Sequence, residues 1–390
     1  MQAIRLFVLF SFITSLAIAA IVVEYVPFLL EIGFSLSEVA LLGLGYSILI
    51  AFIEVPSGIF ADIYGCKRAV QLSQMIYCCG ICFYGLASSR SYVFIAVPVT
   101  ALSFALQSGA RQAWMVSQLS IDTHPTIVRR AFADSALASQ CGAILAPMLA
   151  SAVKTQWSLN CFFLSGILST VALCVTVFWS NDTPKHRERR GWKTVFHEGS
   201  KVALRYPLLR WLGWLSLVFS LLSVITNLWS PVLRESSWEL DGYWVWFAMQ
   251  LGLMIGSVAY RLLPSDQAPL AMVIALAIVG LSLMQAVRTP DTIWVGLLMV
   301  MQMARAFFQI ARDHLVQITA PKEVRVTAAS WISLTSQVGT MLVLGGMSIA
   351  MMQCVNSYDA MSVTWMPAGF VLCVSSVFFY LRYRSRRSIW

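Results

Sequence analysis

Apolar segments of membrane-spanning length alternate with short polar stretches along almost the whole chain. A helix of about 20 residues, with a rise of 1.5 Å per residue, crosses a hydrocarbon layer of about 30 Å. The pattern therefore predicts an all-α integral membrane protein with twelve transmembrane helices. The predicted spans are residues 4–30, 36–60, 69–88, 92–119, 131–153, 159–179, 208–233, 242–263, 269–287, 292–319, 326–352 and 362–381.

The longest polar segment lies near the middle of the chain and separates six spans from six. We predict an N-terminal six-helix bundle over residues 1–180, a basic cytoplasmic linker over 181–206 and a C-terminal six-helix bundle over 207–390. Apolar residues recur at helical spacing in the second half of the linker, which predicts a short amphipathic helix on the membrane surface. We interpret the linker as a positively charged tether; a regulatory or lipid-recognising element is the alternative.

The composition agrees with this class, since 58% of the residues are hydrophobic and 12% are charged, against about 25% charged in soluble proteins. The net charge of +9 would suggest nucleic acid binding in a soluble protein. In a membrane protein it indicates orientation, because basic residues stay on the cytoplasmic side. Most Lys and Arg share one side if both termini are cytoplasmic. We therefore expect a multi-pass protein of the inner (cytoplasmic) membrane with no nucleic-acid partner.

Two features imitate other kinds of protein. The first apolar segment resembles a secretory signal with a cleavage site near Ala17 and Ala19, but it continues to about Leu30, so we interpret it as an uncleaved span. Cys79 and Cys82 form a C-x-x-C within the third span without a second ligand pair. We therefore expect buried thiols rather than a disulfide framework, a metal site or redox chemistry, and no cofactor.

The turn between the second and third spans, residues 54–70, reads EVPSGIFADIYGCKRAV. It resembles the signature loop of the major facilitator superfamily, G-x-x-x-D-R-x-G-R-[KR]-[KR], although Ile63 and Cys66 replace two arginines. The matching residues are Gly58, Asp62, Gly65, Lys67 and Arg68. The resemblance implies two pseudo-symmetric six-helix bundles that transport a solute by alternating access, with this loop as a gate that latches the bundles together on the cytoplasmic side. A purely topological turn is the alternative.

A second partial match to the family lies in the fifth span. Residues 142–151, GAILAPMLAS, resemble the antiporter-associated pattern G-x-x-x-G-P-x-x-G-G. Gly142 and Pro147 match, while the other glycine positions hold alanine or serine. The resemblance implies antiport; close helix packing along a stripe of small residues is the alternative explanation.

Few charged residues interrupt the spans, where a charge costs on the order of 3 kcal/mol. In the family, spans one, four, seven and ten line the central cavity, and several charged or polar residues fall in these spans. The predicted substrate-binding residues are Glu24, Gln107, Arg111, Trp114, Asn227 and Arg305. Glu24 and Glu54 are the predicted proton-coupling residues, because a carboxyl group whose neighbours change can take up and release a proton. A fixed ion pair is the alternative for Glu24; for Glu54, which lies beside the gating loop, a gating or structural ion pair is favoured over proton coupling.

These features predict a secondary active transporter rather than an enzyme. The favoured function is proton-coupled export of a small organic compound, by a monomer whose partners are its substrate, protons and the lipid bilayer. Import by proton symport or facilitated diffusion is the alternative, as is a non-transporting membrane sensor on the same scaffold. Acids and arginines within the spans balance in number, so the charge of the substrate stays open.

Overall fold

The computed structural model describes residues 2–117, 125–157, 160–178, 191–225, 229, 232–233, 242–263, 267–288, 292–353 and 357–385. Fourteen α-helices and no strand occur within these ranges. The helices are α1 (Gln2–Glu31), α2 (Leu36–Tyr64), α3 (Cys66–Gly85), α4 (Arg90–Gln107), α5 (Ala110–Ser117), α6 (Pro125–Trp157), α7 (Cys161–Val177), α8 (Trp192–Arg205), α9 (Pro207–Phe219), α10 (Gly242–Leu262), α11 (Ala268–Ala286), α12 (Thr292–Thr319), α13 (Arg325–Gln353) and α14 (Ser357–Ser385).

The prediction of an all-helical membrane protein is confirmed, and a helix lies at each of the twelve predicted spans. Among the described residues, ten helical segments are long and apolar enough to cross a membrane. α7 is shorter, with 17 residues. α3 is more polar, and its polar groups form hydrogen bonds with neighbouring helices of the bundle. The Ser169 hydroxyl donates to Gln74 at 2.7 Å, and the Ser103 hydroxyl donates to the Ser73 carbonyl at 2.9 Å.

Local sequence signals set several helix boundaries. α2 begins with a capping box, in which the backbone N–H of Ser35 donates to the Glu38 carboxylate at 2.7 Å and that of Glu38 donates to the Ser35 hydroxyl. α2 ends at Gly65, whose φ of 108° allows a direct turn into α3. The predicted fourth span is divided into α4 and α5 at Gly109, which has a φ of 70°.

The helices form two sets according to their contacts. In the N-terminal set, α1 packs against α6 and α7, α3 against α4 and α7, and α2 against α4. In the C-terminal set, α10 packs against α12, α11 against α12 and α14, and α9 against α13. The two sets meet along two seams, α2 with α13 and α6 with α10, and between these seams α5 contacts α12 and α13. Any site between the sets is therefore bounded by these helices.

One end of the molecule, which we call the basic end, carries the α2–α3 turn, α8 and the first turn of α13. The predicted amphipathic helix is present there as α8, whose buried face consists of Val195, Gly199 and Ala203. This face packs on α2 and α13. Lys193 and Lys201 are exposed on the opposite side. α8 therefore covers the seam between the two sets as well as connecting them.

Candidate functional site

Asp62, near the end of α2, caps the first turn of α13. Its carboxylate accepts hydrogen bonds from the backbone N–H of Val326 at 3.2 Å and of Thr327 at 2.8 Å. The Thr327 hydroxyl donates a third bond at 2.7 Å. The first amides of a helix lack partners within the helix, and a negative charge is favourable at that end. We call this contact the Asp62 cap; it joins the two helix sets at the basic end.

The residues around Asp62 allow the two helices to approach closely. A Cβ atom added at Gly58 would lie 2.5 Å from the Ser330 hydroxyl oxygen of α13. On the other side of the cap, Gly199 of α8 packs against the Thr327 side chain. Arg68 is exposed, and Lys67 is half-buried at the start of α3. The predicted gating residues therefore lie together at the seam, where small residues permit close contact.

A second set of contacts closes the seam between α6 and α10 at the same end. Arg261 forms an ion pair with Asp134 at 3.2 Å, and the Arg129 guanidinium donates to the Leu263 carbonyl. Both ionic partners of the first contact are partly exposed. Such a pair is typically worth less than 1 kcal/mol, so the buried Asp62 cap is the stronger of the two connections.

A polar cavity lies between α5, α12 and α13, on the interior side of the Asp62 cap. Its polar lining residues are Ser108, Gln112, Arg312, Asp313, Gln317 and Ser333. The side-chain oxygens of Gln112 and Gln317 are buried without a hydrogen-bond partner. A buried polar group without a partner is costly, so these side chains are available to bind water or a solute that enters the cavity.

Glu54 of α2 lies beside residues that line this cavity and is completely buried. The hydroxyls of Ser108 and Ser333 lie close to its carboxyl group, and the positive charge of Arg312 interacts with it electrostatically. Within the described part of the chain, however, neither carboxyl oxygen makes a well-aligned hydrogen bond. Eight residues separate Glu54 from Asp62, so the two acids lie about 12 Å apart along the same helix. The structure therefore places a buried acid next to three residues that line the cavity.

The arginines around the cavity differ in how their charges are compensated. Arg312 pairs with Asp313 at 2.8 Å, and Arg111 of α5 also interacts with the charge of Asp313. Arg305 lies midway along α12, is half-buried and has no ion pair or hydrogen bond with the residues that the structure describes. Among the three arginines, Arg305 is therefore the one whose charge no described residue compensates.

Glu24, the other predicted proton carrier, lies elsewhere. Its carboxylate forms an ion pair with Lys154 of α6 at 3.2 Å, and its side chain is 36% exposed. Among the described contacts it forms no ion pair with Arg111, Arg305 or Arg312. The ion pair that the sequence left open as an alternative is therefore present, with a lysine instead of an arginine. Its role in proton coupling stays a prediction that this geometry does not favour.

The remaining predicted residues are distributed between cavity, core and helix contacts. Gln107 lines a smaller cavity within the N-terminal set, and its side-chain nitrogen has no partner. Trp114 is fully buried in the hydrophobic core and presents no surface to a solute. Asn227 lies outside the described residues. Gly142 packs α6 on α1, since an added Cβ would lie 2.5 Å from the Phe12 carbonyl oxygen, and Pro147 follows within α6.

Sequence reasoning did not assign the cavity residues of α12 and α13 to the site. A signal for α12 exists in the seven-residue spacing of Arg305 and Arg312, which places both on one helix face. No comparable signal marks Ser333, because its importance depends on the packing of α13 against α2.

Comparison with known proteins extends these observations to most of the chain. A family model of the Major Facilitator Superfamily matches residues 6–344. One sequence relative is the "Uncharacterized MFS-type transporter YxaM" of Bacillus subtilis (strain 168), which is 29% identical over 110 residues. That alignment covers 28% of this chain and 28% of the length of YxaM.

Solved structures resemble the whole fold. The POT family transporter PepTSo has a TM-score of 0.75 at 13% identity, covering 99% of this chain and 98% of its own. The human organic anion transporter MFSD10 has a TM-score of 0.72 at 16% identity, covering 95% and 99%. A bacterial homologue of the iron transporter ferroportin, in an outward-facing state, has a TM-score of 0.72 at 17% identity, covering 97% and 100%. At these identities the likeness shows a shared fold.

Proposed function

The chain belongs to the Major Facilitator Superfamily, and we propose that it is a proton-coupled exporter of a small organic compound in which Glu54 carries the proton. Membership of the family makes it a membrane transporter and not an enzyme. The observation that carries the finer proposal is the complete burial of Glu54 at the seam between α2 and α13. The surroundings of a carboxyl group in this position change when the two helix sets move relative to each other.

The proposed cycle uses the bundles of residues 1–180 and 207–390 as rigid units connected by the linker 181–206. With the Asp62 cap intact, the basic end is closed and Glu54 is shielded from water. Opening this end, which we assign to the cytoplasm, would hydrate Glu54. Water stabilises a carboxylate relative to a neutral carboxyl group, so opening favours release of the proton there. Loss of a proton and movement of the bundles are thereby coupled.

The preference for export rests on the resemblance of residues 142–151 to the antiporter-associated pattern; the close contact of Gly142 with α1 is also what helix packing alone predicts. An observation also favours the alternative of symport. Protonation of Glu54 removes a negative charge beside Arg312, which would strengthen the binding of an anionic solute in the same cavity. A proton and an anion that bind cooperatively would move in the same direction.

The test uses inside-out membrane vesicles energised to an acid interior. Amphipathic drugs, chelators, sugars and organic acids are added in turn, and discharge of the proton gradient is followed by a pH-sensitive dye. Wild type should discharge the gradient with one compound class, and Glu54→Gln should not. Glu24→Gln is the matched control, since it neutralises an exposed acid outside the cavity, and it should retain the activity of wild type. Equal discharge by wild type and Glu54→Gln would refute the role of Glu54. For a compound that wild type moves, accumulation within vesicles of the opposite orientation would establish symport.

A further inference from the structure

We propose that Arg305 is an anion-binding residue and that the transported compound carries a carboxylate or a similar oxyanion group. This inference rests on the proposed transport, whether by export or by symport, and it assigns a substrate class to the space between the two helix sets. Its starting point is the charge balance within that space.

Three arginines and two acids lie in the interior part of the helices around the cavity. Arg111, Arg305 and Arg312 oppose Glu54 and Asp313. The apparent balance in the sequence included Glu24, but its ion pair with Lys154 removes it from this group. The described part of the interior therefore has one positive charge in excess, and it has two when Glu54 is protonated.

The position of Arg305 on its helix directs it towards the space between the sets. Arg312 lines the polar cavity, and Arg305 precedes it by seven residues, which is two helical turns or about 10 Å along the same face. Two other faces of α12 are occupied by packing. Phe308 stacks on Phe219 of α9 with ring centroids 3.8 Å apart, and Ala306 faces Gly256 of α10.

The same face of α12 carries further polar groups near Arg305. Gln302 lies one turn before it and is buried, with a side-chain oxygen that has no partner. Gln309 lies one turn after it and is half-buried. A charged side chain within a membrane span is expensive unless it has a partner. Because the described structure supplies no partner for Arg305, a solute anion is the group that would compensate its charge.

The chemistry of arginine specifies the kind of anion. A guanidinium group presents paired N–H donors that match the two oxygens of a carboxylate, whereas a lysine acts as a point charge. The neighbouring glutamines can donate to, or accept from, polar groups elsewhere on the solute. This arrangement favours a small organic anion over a neutral or cationic compound.

The experiment measures binding with probes that differ only in charge. Purified protein in detergent is titrated with benzoate, neutral benzamide or cationic benzylammonium at constant chloride, and thermal unfolding is followed by tryptophan fluorescence. A ligand that binds only the folded state raises the midpoint of unfolding. Benzoate should raise it for wild type, and Arg305→Gln should bind benzoate about 10- to 100-fold more weakly. Arg305→Lys, which keeps the charge, should bind with intermediate affinity.

Stability without a probe provides an independent check. Arg305→Gln should unfold at or above the temperature of wild type, because no ion pair is lost. Arg312→Gln should unfold at a lower temperature, because Asp313 loses its 2.8 Å partner. A marked loss of stability in Arg305→Gln would show that the charge already has a partner, and it would overturn the proposal.

Other outcomes separate this proposal from the proton-coupling role. Preference for benzamide or benzylammonium, equal binding of benzoate by wild type and Arg305→Gln, or no benzoate-dependent shift in wild type would overturn the anion site. Glu54→Gln, which mimics the protonated acid beside Arg312, should bind benzoate at least as tightly as wild type even though it loses proton coupling. Proton coupling that survives in Glu54→Gln would refute the role of Glu54 and leave the Arg305 result standing.

Discussion

Replacing Asp62 with alanine should shift the protein towards the form that is open at the basic end. In the structure, the Asp62 carboxylate accepts three hydrogen bonds from the first turn of α13, at 3.2, 2.8 and 2.7 Å. These bonds link the two helix sets, so they exist only while the α2–α13 seam is closed. The substitution removes the hydrogen-bond acceptor without adding bulk, so it should destabilise the closed form and leave the open form unchanged.

The magnitude follows from the number and type of these bonds. A hydrogen bond with a charged partner contributes about 1.5–3 kcal/mol, so three independent bonds would contribute roughly 5–9 kcal/mol. The three share one carboxylate, and water replaces them when the seam opens. We therefore expect about half of that sum or less, on the order of 2–4 kcal/mol. Since 1.4 kcal/mol is a factor of ten, the ratio of open to closed forms should rise roughly 30- to 700-fold.

Distance measurements between spin labels can test this shift. Labels at Arg68→Cys and Glu323→Cys, both exposed positions on opposite sides of the seam, report separation of the basic ends in a background without the native exposed cysteines. Asp62→Ala should move the distance distribution towards longer separations. Asp134→Asn is the control, because its exposed ion pair across the other seam should change the ratio less than about tenfold. An unchanged distribution in Asp62→Ala would refute the idea that the cap holds the seam closed.

Two further predictions concern stability. Gly142→Ala should lower the free energy of unfolding by about 1–3 kcal/mol, because the added methyl group would lie 2.5 Å from the Phe12 carbonyl oxygen. Gly43→Ala, where no atom lies within 4 Å of the added group, should not; equal thermal shifts would contradict the packing argument. Hydrogen bonding from the backbone N–H at the start of α2 and the nearby Arg90 charge lower the pKa of Glu38. The stabilisation that the ionised Glu38 carboxylate provides is therefore present at neutral pH, and it is lost as the pH falls through the lowered pKa. The difference in thermal midpoint between wild type and Glu38→Gln should therefore shrink in acid, and a difference that grows would contradict this sign.

Part of the site could be predicted from the sequence, because it is formed by residues that are close together along the chain. Gly58, Asp62 and Gly65 occur at fixed spacing in a single turn between two helices, so their proximity to one another is guaranteed by the chain. The structure adds that Asp62 caps α13, which begins more than 260 residues later. The spacing itself does not specify that partner, because the partner depends on which helix packs beside α2.

Glu24 and Glu54 show where reasoning from the sequence stops. Both are acids in predicted spans, and their sequence contexts gave Glu24 the stronger claim to the cavity. In the structure, Glu24 pairs with Lys154, 130 residues away, while Glu54 is buried beside Ser108 and Ser333. Hydropathy locates a residue along the membrane normal only approximately, and it does not define the rotation of one helix against another.

The sequence by itself determined that this protein is a helical membrane protein that resembles the major facilitator superfamily, because apolar length and the glycine and aspartate spacing of one turn are local properties of the chain. Tertiary structure decided which charges meet. It paired Glu24 with Lys154 of another helix, which removed Glu24 from the interior, and among the described residues it left Arg305 without a counterion. The physical reason is that the free energy of a charge within a membrane depends on its nearest partners, and helices distant in sequence supply those partners.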